Sequence, residues 1–281
     1  MPGSAAEADH ACVSADGSPL TGGKELEVRL LGPVRASRRG REIALGGPKQ
    51  RAVLALLLLE AGRVVPTARL VEEVWRGDPP PGAAKTLRSY VSRLRALLAP
   101  EADLAARGGG YVLSVDGGFV DVEEFERLAA AGHAALGNAD PAAATGRFAE
   151  AVGLWHGHAL ADVIDVESLA LESARLEELR LTAVEGRIEA DVELGRHGQV
   201  TGELERLVAE YPVRERLWRL LVLALYRDER QADALAAYRR ARDTLAAELG
   251  LEPGEELRRL EQAVLRQEVP AARPSQAPRM G

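Results

Sequence analysis

One segment of the sequence, residues 83–98, combines positive charge with hydroxyl groups on one side of a predicted helix. Its polar side chains are Lys85, Thr86, Arg88, Ser89, Ser92, Arg93 and Arg95. Guanidinium and ammonium groups bind phosphates, and all four of these residue types also reach base edges in the major groove. A merely solvated helix usually mixes charges of both signs, whereas this face has no acid. The pattern therefore favours a helix that contacts DNA.

The other side of the same segment is apolar and must hold the helix in place. Its apolar residues are Leu87, Tyr90, Val91, Leu94, Leu97 and Leu98. Their spacing of three and one follows the helical period, which predicts one buried stripe. The segment is thus predicted to be an amphipathic recognition helix over residues 83–98.

The elements predicted around this helix make up a winged helix. They are strands at 26–30 and 42–45, helices at 49–60 and 68–75, the second capped by Thr67, and a hairpin of strands 104–107 and 111–115. Three glycines, 108–110, form the hairpin tip, and Arg107 stands beside it. This tip could approach a sugar-phosphate strand or a minor groove, although a tight hairpin without a ligand fits equally well.

A proline-rich loop separates the second and third helices. It consists of Asp78, Pro79, Pro80, Pro81 and Gly82. Three prolines cannot continue a helix, so the segment is predicted to be stiff and exposed. Two interpretations remain open, a contact point for a protein partner or a rigid connector.

The second half of the chain is predicted to be helical from Asp121 onward. The clearest antiparallel pairs are 172–194 with 200–210 and 215–226 with 231–249, which repeat at about 32 residues, close to the tetratricopeptide period. The predicted fold is an α+β winged helix-turn-helix domain at 24–117, followed by an all-α tetratricopeptide-like domain at 118–269. Residues 1–23 and 270–281 are predicted to be a disordered leader and tail.

The distribution of charge agrees with this division. Residues 24–117 carry 16 Lys and Arg against 10 Asp and Glu, whereas residues 118–281 carry 20 against 30. A basic segment joined to an acidic one suggests that the first half meets an anion. Ordinary variation among surface charges is the alternative.

Composition and motifs exclude several classes of protein. The chain has 281 residues, 46% of them hydrophobic and 28% charged, as in globular proteins. The longest apolar run, residues 52–59, falls well short of the ~18 residues of a membrane span, and we expect no membrane association and a cytoplasmic location. The single cysteine, Cys12, can form neither an internal disulfide nor a cysteine-based metal site.

Catalytic motifs give little support for an enzyme. The chain contains no P-loop, no nucleophile elbow and no metalloprotease motif. His156 and His158, with Asp162 and Asp165, are the best candidates for a metal site or a hydrolase centre, but the histidines straddle Gly157 and helical spacing fixes no third ligand. We expect no catalytic residues, no metal and no cofactor.

Taken together, these segments resemble the Streptomyces antibiotic regulatory protein family. The matching residues are 30–33, 46–52, 70–75, 86–95 and 108–111 in the first half. In the second half, residues 121–128, 154–157, 211–216 and 224–254 are similar to the bacterial transcriptional activator domain. The resemblance covers about residues 26–268.

The resemblance implies a transcriptional activator with an OmpR-type winged helix, the output domain of two-component systems. Such a protein binds direct repeats near promoters of secondary-metabolite clusters, as a tandem pair or homodimer on double-stranded DNA, and recruits RNA polymerase holoenzyme. By position, Thr86, Ser89, Arg93 and Arg95 fall on the DNA face, Arg107 falls on the wing, and the 78–82 loop corresponds to the polymerase-contacting loop. Larger relatives add an ATPase module and sensor repeats, and we expect this chain to belong to the small class.

Two residues depart from the family pattern, and two rival functions remain. Glu229 stands where glycine is usual, which disfavours a left-handed turn there. His156 replaces an arginine, which weakens any charge-based role at that position. The first rival is a helical adaptor whose winged helix binds protein, and a salt-dependent gel shift with DNA would separate it from a DNA-binding activator. The second rival is a hydrolase centred on His156, His158 and Asp162, which elemental analysis of a metal-free purified protein would exclude.

Overall fold

The computed structural model describes residues 25–115 and 117–269, and its contacts form two compact units. Of the described residues, the first unit contains those up to Glu123 together with Trp155–Leu176. The second contains Glu124–Leu154 and the residues from Glu177 onward. The predicted disordered leader and tail lie outside the described residues.

A four-stranded sheet opens the first unit. Its strands are β1 (Leu26–Arg29), β2 (Arg35–Arg38), β3 (Arg41–Ile43) and a later strand, Phe119–Val120. Across the sheet, β3 lies next to β2, β2 next to β1, and β1 next to the later strand. The β1 and β2 strands are antiparallel, whereas the later strand runs parallel to β1. The predicted strand at 42–45 lies earlier, at Arg41–Ile43, and β2 was not predicted. Only Ala36 of β2 is buried, so its sequence has no apolar alternation to reveal it.

Three helices and a hairpin complete the winged helix. The helices are α1 (Pro48–Leu59), α2 (Thr67–Val74) and α3 (Ala83–Leu98). A short strand, β4 (Val65–Pro66), pairs with the second strand of the hairpin, which consists of β5 (Ala102–Arg107) and β6 (Gly110–Val115). The predicted bounds of α3 are confirmed, and α1 starts one residue early because proline suits the first helical position. Thr67 is the first residue of α2 and not its N-cap, which is Pro66.

The hairpin, or wing, needs a glycine where it meets β4. A side-chain carbon added to Gly110 would lie 2.2 Å from the carbonyl oxygen of Val65, a separation that no real Cβ contact shows. The tip residues Gly108 and Gly109 have φ values of 53° and 80°, in the region that favours glycine. The three glycines therefore serve the turn and the close approach of two backbones.

The first unit includes a segment from much later in the chain. The backbone N–H groups of His156 and Leu160 donate to the carbonyl oxygens of Leu31 (2.8 Å) and Leu30 (2.9 Å), respectively. Asp162 accepts from the backbone N–H of Val34 at 2.8 Å. The contacts thus divide the chain differently from the predicted boundary at 117/118, because residues 118–123 and 155–176 pack with the winged helix.

Asp121 ties the start of the next helix, α4 (Asp121–Gly137), to the end of β1. Asp121 is 1% exposed, and its carboxylate accepts from the backbone N–H groups of Leu30 (2.8 Å) and Leu31 (2.9 Å). Burial raises the pKa of Asp121 from 3.8 to about 6, although the backbone N–H groups oppose that rise. The carboxylate therefore satisfies two main-chain donors at the cost of its own hydration.

The second unit is helical. Its helices are the greater part of α4, α5 (Pro141–Gly153), the later part of α6 (Glu167–Glu193), α7 (His197–Glu210), α8 (Glu215–Arg227), α9 (Gln231–Leu249) and α10 (Glu255–Arg266). Helices α7 to α9 pack in sequence around a core that includes Leu221, Trp218 and Tyr238. The predicted helix at 172–194 starts earlier, at Glu167, while 231–249 is confirmed as α9.

The turn between α8 and α9 corrects one expectation. Glu229 has a φ of 61° and is therefore left-handed, although it is not glycine. The N–H of Glu229 donates to Tyr226 and that of Arg230 to Leu225, both at 3.0 Å, and these bonds close the end of α8. Two hydrogen bonds thus hold a conformation that the residue type alone disfavours.

The buried Asp121 predicts a specific pH dependence of stability. Because its pKa is about 6 in the folded chain and 3.8 in the unfolded chain, the folded state binds the extra proton between these values. We expect the free energy of unfolding to fall by about 3 kcal/mol from this group as pH rises from about 4 to about 6. In Asp121→Asn this contribution should be absent, as measured by urea unfolding at several pH values. Parallel pH profiles for the two proteins would contradict the assignment.

Candidate nucleic-acid interface

Helix α3 is fixed to the core of the first unit by one apolar side. Leu87, Val91, Leu94 and Leu98 are each at most 2% exposed, which confirms the predicted stripe. Tyr90 and Leu97, which complete the predicted set, are half-buried. The rotation of the helix about its axis is therefore set by burial.

Aromatic contacts hold α3 against the two preceding helices. Trp75, just after α2, stacks on Tyr90 with ring centroids 6.3 Å apart and planes 8° apart. The ammonium group of Lys49 in α1 lies 5.1 Å from the centroid of the Trp75 ring. One indole thus contacts residues of both α1 and α3.

The opposite side of α3 is exposed. All seven predicted DNA-contacting residues of this helix are exposed: Lys85, Thr86, Arg88, Ser89, Ser92, Arg93 and Arg95. In the described part of the chain, Lys85, Arg88 and Arg93 form no ion pair. The hydroxyls of Thr86 and Ser89 donate to backbone carbonyls one turn back, at 3.4 Å and 3.3 Å, which leaves their oxygens free to accept. The structure thus brings the predicted side chains together on one exposed face.

Arg95 differs from the other cations on this face. It is exposed, but its Nε donates to the carbonyl oxygen of Leu104 in β5 at 2.6 Å. One donor of its guanidinium is therefore already used within the protein. Arg95 links α3 to the wing.

The wing presents Arg107 at its tip. Arg107 ends β5 and is exposed, beside Gly108 and Gly109. The carbonyl oxygen of Gly109 accepts from the backbone N–H of Thr67 at 3.2 Å. The tip is thereby anchored to the first residue of α2, so that Arg107 is displayed from a fixed hairpin.

The 78–82 loop is exposed along its whole length. Its ends are held by the backbone N–H of Asp78, which donates to Trp75, and by that of Ala83, which donates to Pro80, at 3.1 Å and 3.0 Å. Gly82 has a φ of 89° and directly precedes α3. The loop therefore projects from fixed ends between α2 and α3.

Two of the four candidate metal and hydrolase residues, Asp162 and His156, are engaged in structural contacts. The carboxylate of Asp162 pairs with the Arg51 Nε at 2.5 Å while it also accepts from Val34. A guanidinium nitrogen of Arg29 lies 2.9 Å from Nε2 of His156. Among residues 25–115 and 117–269, no group of three or more His, Cys, Asp or Glu side chains could hold a metal ion. Asp162 instead fixes the 155–176 segment to the winged helix, a role that local sequence does not reveal.

Within 25–115 and 117–269, no helix has both the length and the apolar character needed to cross a bilayer.

Two neighbouring residues of α3 should respond differently to truncation. We expect Arg93→Ala to cost about 1–3 kcal/mol of specific DNA binding, because one base-edge or close phosphate contact is lost. Leu94→Ala should instead cost about 2–5 kcal/mol of folding stability, since it opens a cavity beneath the helix. DNA titrations and thermal melts of both variants separate the two effects. An Arg93→Ala affinity within a few tenths of a kcal/mol of the unmodified protein would contradict the role of this face.

Comparison with known proteins finds two family models that match successive parts of the chain. Residues 40–113 match the model of the C-terminal domain of transcriptional regulatory proteins, and residues 120–265 match the bacterial transcriptional activator domain. The chain is 39% identical to the regulatory protein DnrI of Streptomyces peucetius, over 86% of this chain and 92% of DnrI.

Two longer proteins are also similar. The regulatory protein AfsR of Streptomyces griseus is 41% identical over 90% of this chain, which spans only 26% of AfsR. The structure of Mycobacterium tuberculosis EmbR in complex with a low affinity phosphopeptide matches with a TM-score of 0.83 and 37% identity, over 89% of this chain and 67% of EmbR. With a winged helix joined to a bacterial transcriptional activator domain, the chain belongs to the Streptomyces antibiotic regulatory protein family of transcriptional regulators.

Proposed function

We propose that this protein is a sequence-specific DNA-binding activator that reads direct repeats at promoters and recruits RNA polymerase holoenzyme. It acts on the nucleoid in the cytoplasm, has no catalytic activity, and controls a biosynthetic cluster for a secondary metabolite. The observation that carries the proposal is the exposed face of α3, where Lys85, Arg88 and Arg93 have no ion pair in the described part of the chain.

The chemistry of this face fits a duplex better than a protein surface. Unpaired cations on a rigid helix release counterions from DNA phosphates, and the hydroxyls among them can accept from or donate to base edges. An adaptor that binds protein would need apolar side chains at the centre of the same face. A gel shift that weakens steeply with added salt supports the DNA function, while binding indifferent to salt would favour the adaptor.

One recognition helix reads only a few base pairs, so useful specificity requires two copies of the chain. Winged helices of this type bind head to tail, and each copy then faces the same side of the duplex. Repeats in the same orientation are therefore expected about 10–11 base pairs apart, which is one helical turn.

The spacing of the repeats tests this arrangement. Insertion of about 5 base pairs between them rotates the second repeat by half a turn, so that the two copies no longer share one face of the duplex. We expect the affinity for the pair to fall towards that for a single repeat, while an insertion of a full turn restores part of it. Equal affinities for the original and the half-turn spacing in a titration would contradict the tandem geometry.

The 78–82 loop is the proposed contact for polymerase. It lies between α2 and α3, and its three prolines leave little conformational freedom to lose when a partner binds. A flexible loop of the same length would lose more entropy on forming the same contact. Stiffness combined with exposure on the DNA-reading unit supports recruitment.

Replacement of Pro79, Pro80 and Pro81 by Gly-Ser-Gly tests recruitment apart from DNA binding. The DNA-facing residues of α3 are not changed, so we expect near-normal promoter affinity but reduced transcription in a reconstituted assay with polymerase. If the loop is only a connector, affinity and transcription should fall together or remain unchanged. A fall in transcription that is matched by the fall in affinity would refute the recruitment role.

A further inference from the structure

The joint between α3 and the wing is only three residues long, 99–101. A side chain from β2, which is distant in the sequence, forms hydrogen bonds with it. Arg38, the last residue of β2, donates from Nε and Nη2 to the two carboxylate oxygens of Glu101, at 3.0 Å and 2.8 Å. Its Nη2 also lies 3.1 Å from the carbonyl oxygen of Leu97 and 2.7 Å from that of Ala99. One guanidinium therefore contacts the last turn of α3 and the connection that follows.

These hydrogen bonds from Arg38 suit the chemistry at the end of a helix. The last carbonyl groups of a helix lack internal partners and carry partial negative charge, which a cation stabilises. The paired contact with Glu101 adds a fixed geometry that a single hydrogen bond does not have. The Glu101 side chain is 10% exposed and that of Arg38 is 34% exposed, so water screens this pair less than it screens Arg39 with Glu25, at 73% and 56%.

Arg95 closes the same joint from the side of the helix. Its bond to the carbonyl oxygen of Leu104 reaches β5, the first strand of the wing. The end of α3 is thus tied to β2 through Arg38 and to the wing through Arg95. These contacts fix where the wing stands relative to α3.

We propose that Arg38 is a positioning residue for DNA recognition, which sets the register between the exposed face of α3 and Arg107 on the wing. This inference rests on the proposed DNA-binding function. Sequence-specific binding needs both contact regions to meet one site at the same time, whereas non-specific binding needs only positive charge near phosphates. Loosening the joint should therefore reduce specific binding far more than non-specific binding.

The same strand supplies a matched control. Arg35 starts β2, is exposed and forms no ion pair in the described part of the chain. Arg35→Gln and Arg38→Gln remove the same charge from the same strand, but only the second releases the joint. Glu101→Gln loosens the joint from the other end and leaves the charge of Arg38 in place.

The experiment measures the affinity of the full chain for a duplex that the unmodified protein has selected from a random pool, and for a shuffled duplex. The ratio of the two affinities does not depend on how much of each variant is folded. We expect this ratio to fall about tenfold in Arg38→Gln, which is within the effect of one lost base contact. The ratio should also fall in Glu101→Gln, and it should stay unchanged in Arg35→Gln. The salt dependence of binding should be alike in the two arginine variants.

Each contrary result has a distinct meaning. Ratios for Arg38→Gln and Glu101→Gln that match that of Arg35→Gln would overturn the positioning role and leave the proposed function standing. A second outcome is a slope of log affinity against log salt concentration that is smaller by about 0.9 only in Arg38→Gln, with the ratio of specific to non-specific affinity unchanged. That result would make Arg38 a phosphate contact instead. Should Arg38→Gln fail to fold, Glu101→Gln decides alone. If the unmodified protein selects no duplex at all, the proposed function itself fails.

Discussion

The burial of four aliphatic side chains along α3 constrains every other feature of the interface. Leu87, Val91, Leu94 and Leu98 are buried, and removing each from water contributes about 1.5–3 kcal/mol. An exposed ion pair contributes about 0–1 kcal/mol, so burial and not charge decides how the helix is rotated. Once that side is fixed, the cations and hydroxyls must face solvent together. There the cations can displace the counterions of a phosphate backbone.

The winged helix depends in turn on residues that follow it in the chain. The main-chain groups of Leu30 and Leu31 are satisfied by Asp121, His156 and Leu160. Each buried polar group left unpaired would cost about 1–3 kcal/mol. The matched activator domain spans residues 120–265, yet its 155–176 segment packs in the first unit, so cutting the chain after residue 115 would remove contacts from the winged helix as well. The proposed DNA binding and the proposed activation are therefore better tested separately with point variants.

Local sequence patterns predicted the elements whose structure depends on neighbouring residues. A stripe at helical spacing, a proline break before it and a glycine tip after it suffice for α3 and the wing. The β2 strand was not predicted because its single buried residue, Ala36, stands among polar residues and so gives no apolar alternation. The roles of Arg38 and Asp162 rest on partners 63 and 111 residues away in the sequence, which no periodicity records.

Cleavage of DNA from a single position on α3 tests most directly whether this helix reads the duplex. Ser92 is exposed at the centre of the proposed face, and Cys12 is the only natural cysteine. A full chain with Cys12→Ser and Ser92→Cys can therefore carry one iron chelate, which with added peroxide and a reductant generates hydroxyl radicals that cut nearby sugars. We expect cuts confined to each repeat of a selected duplex and diffuse cuts on a shuffled one. A labelled protein that protects its selected site from nuclease yet leaves the repeats uncut would contradict this role of α3.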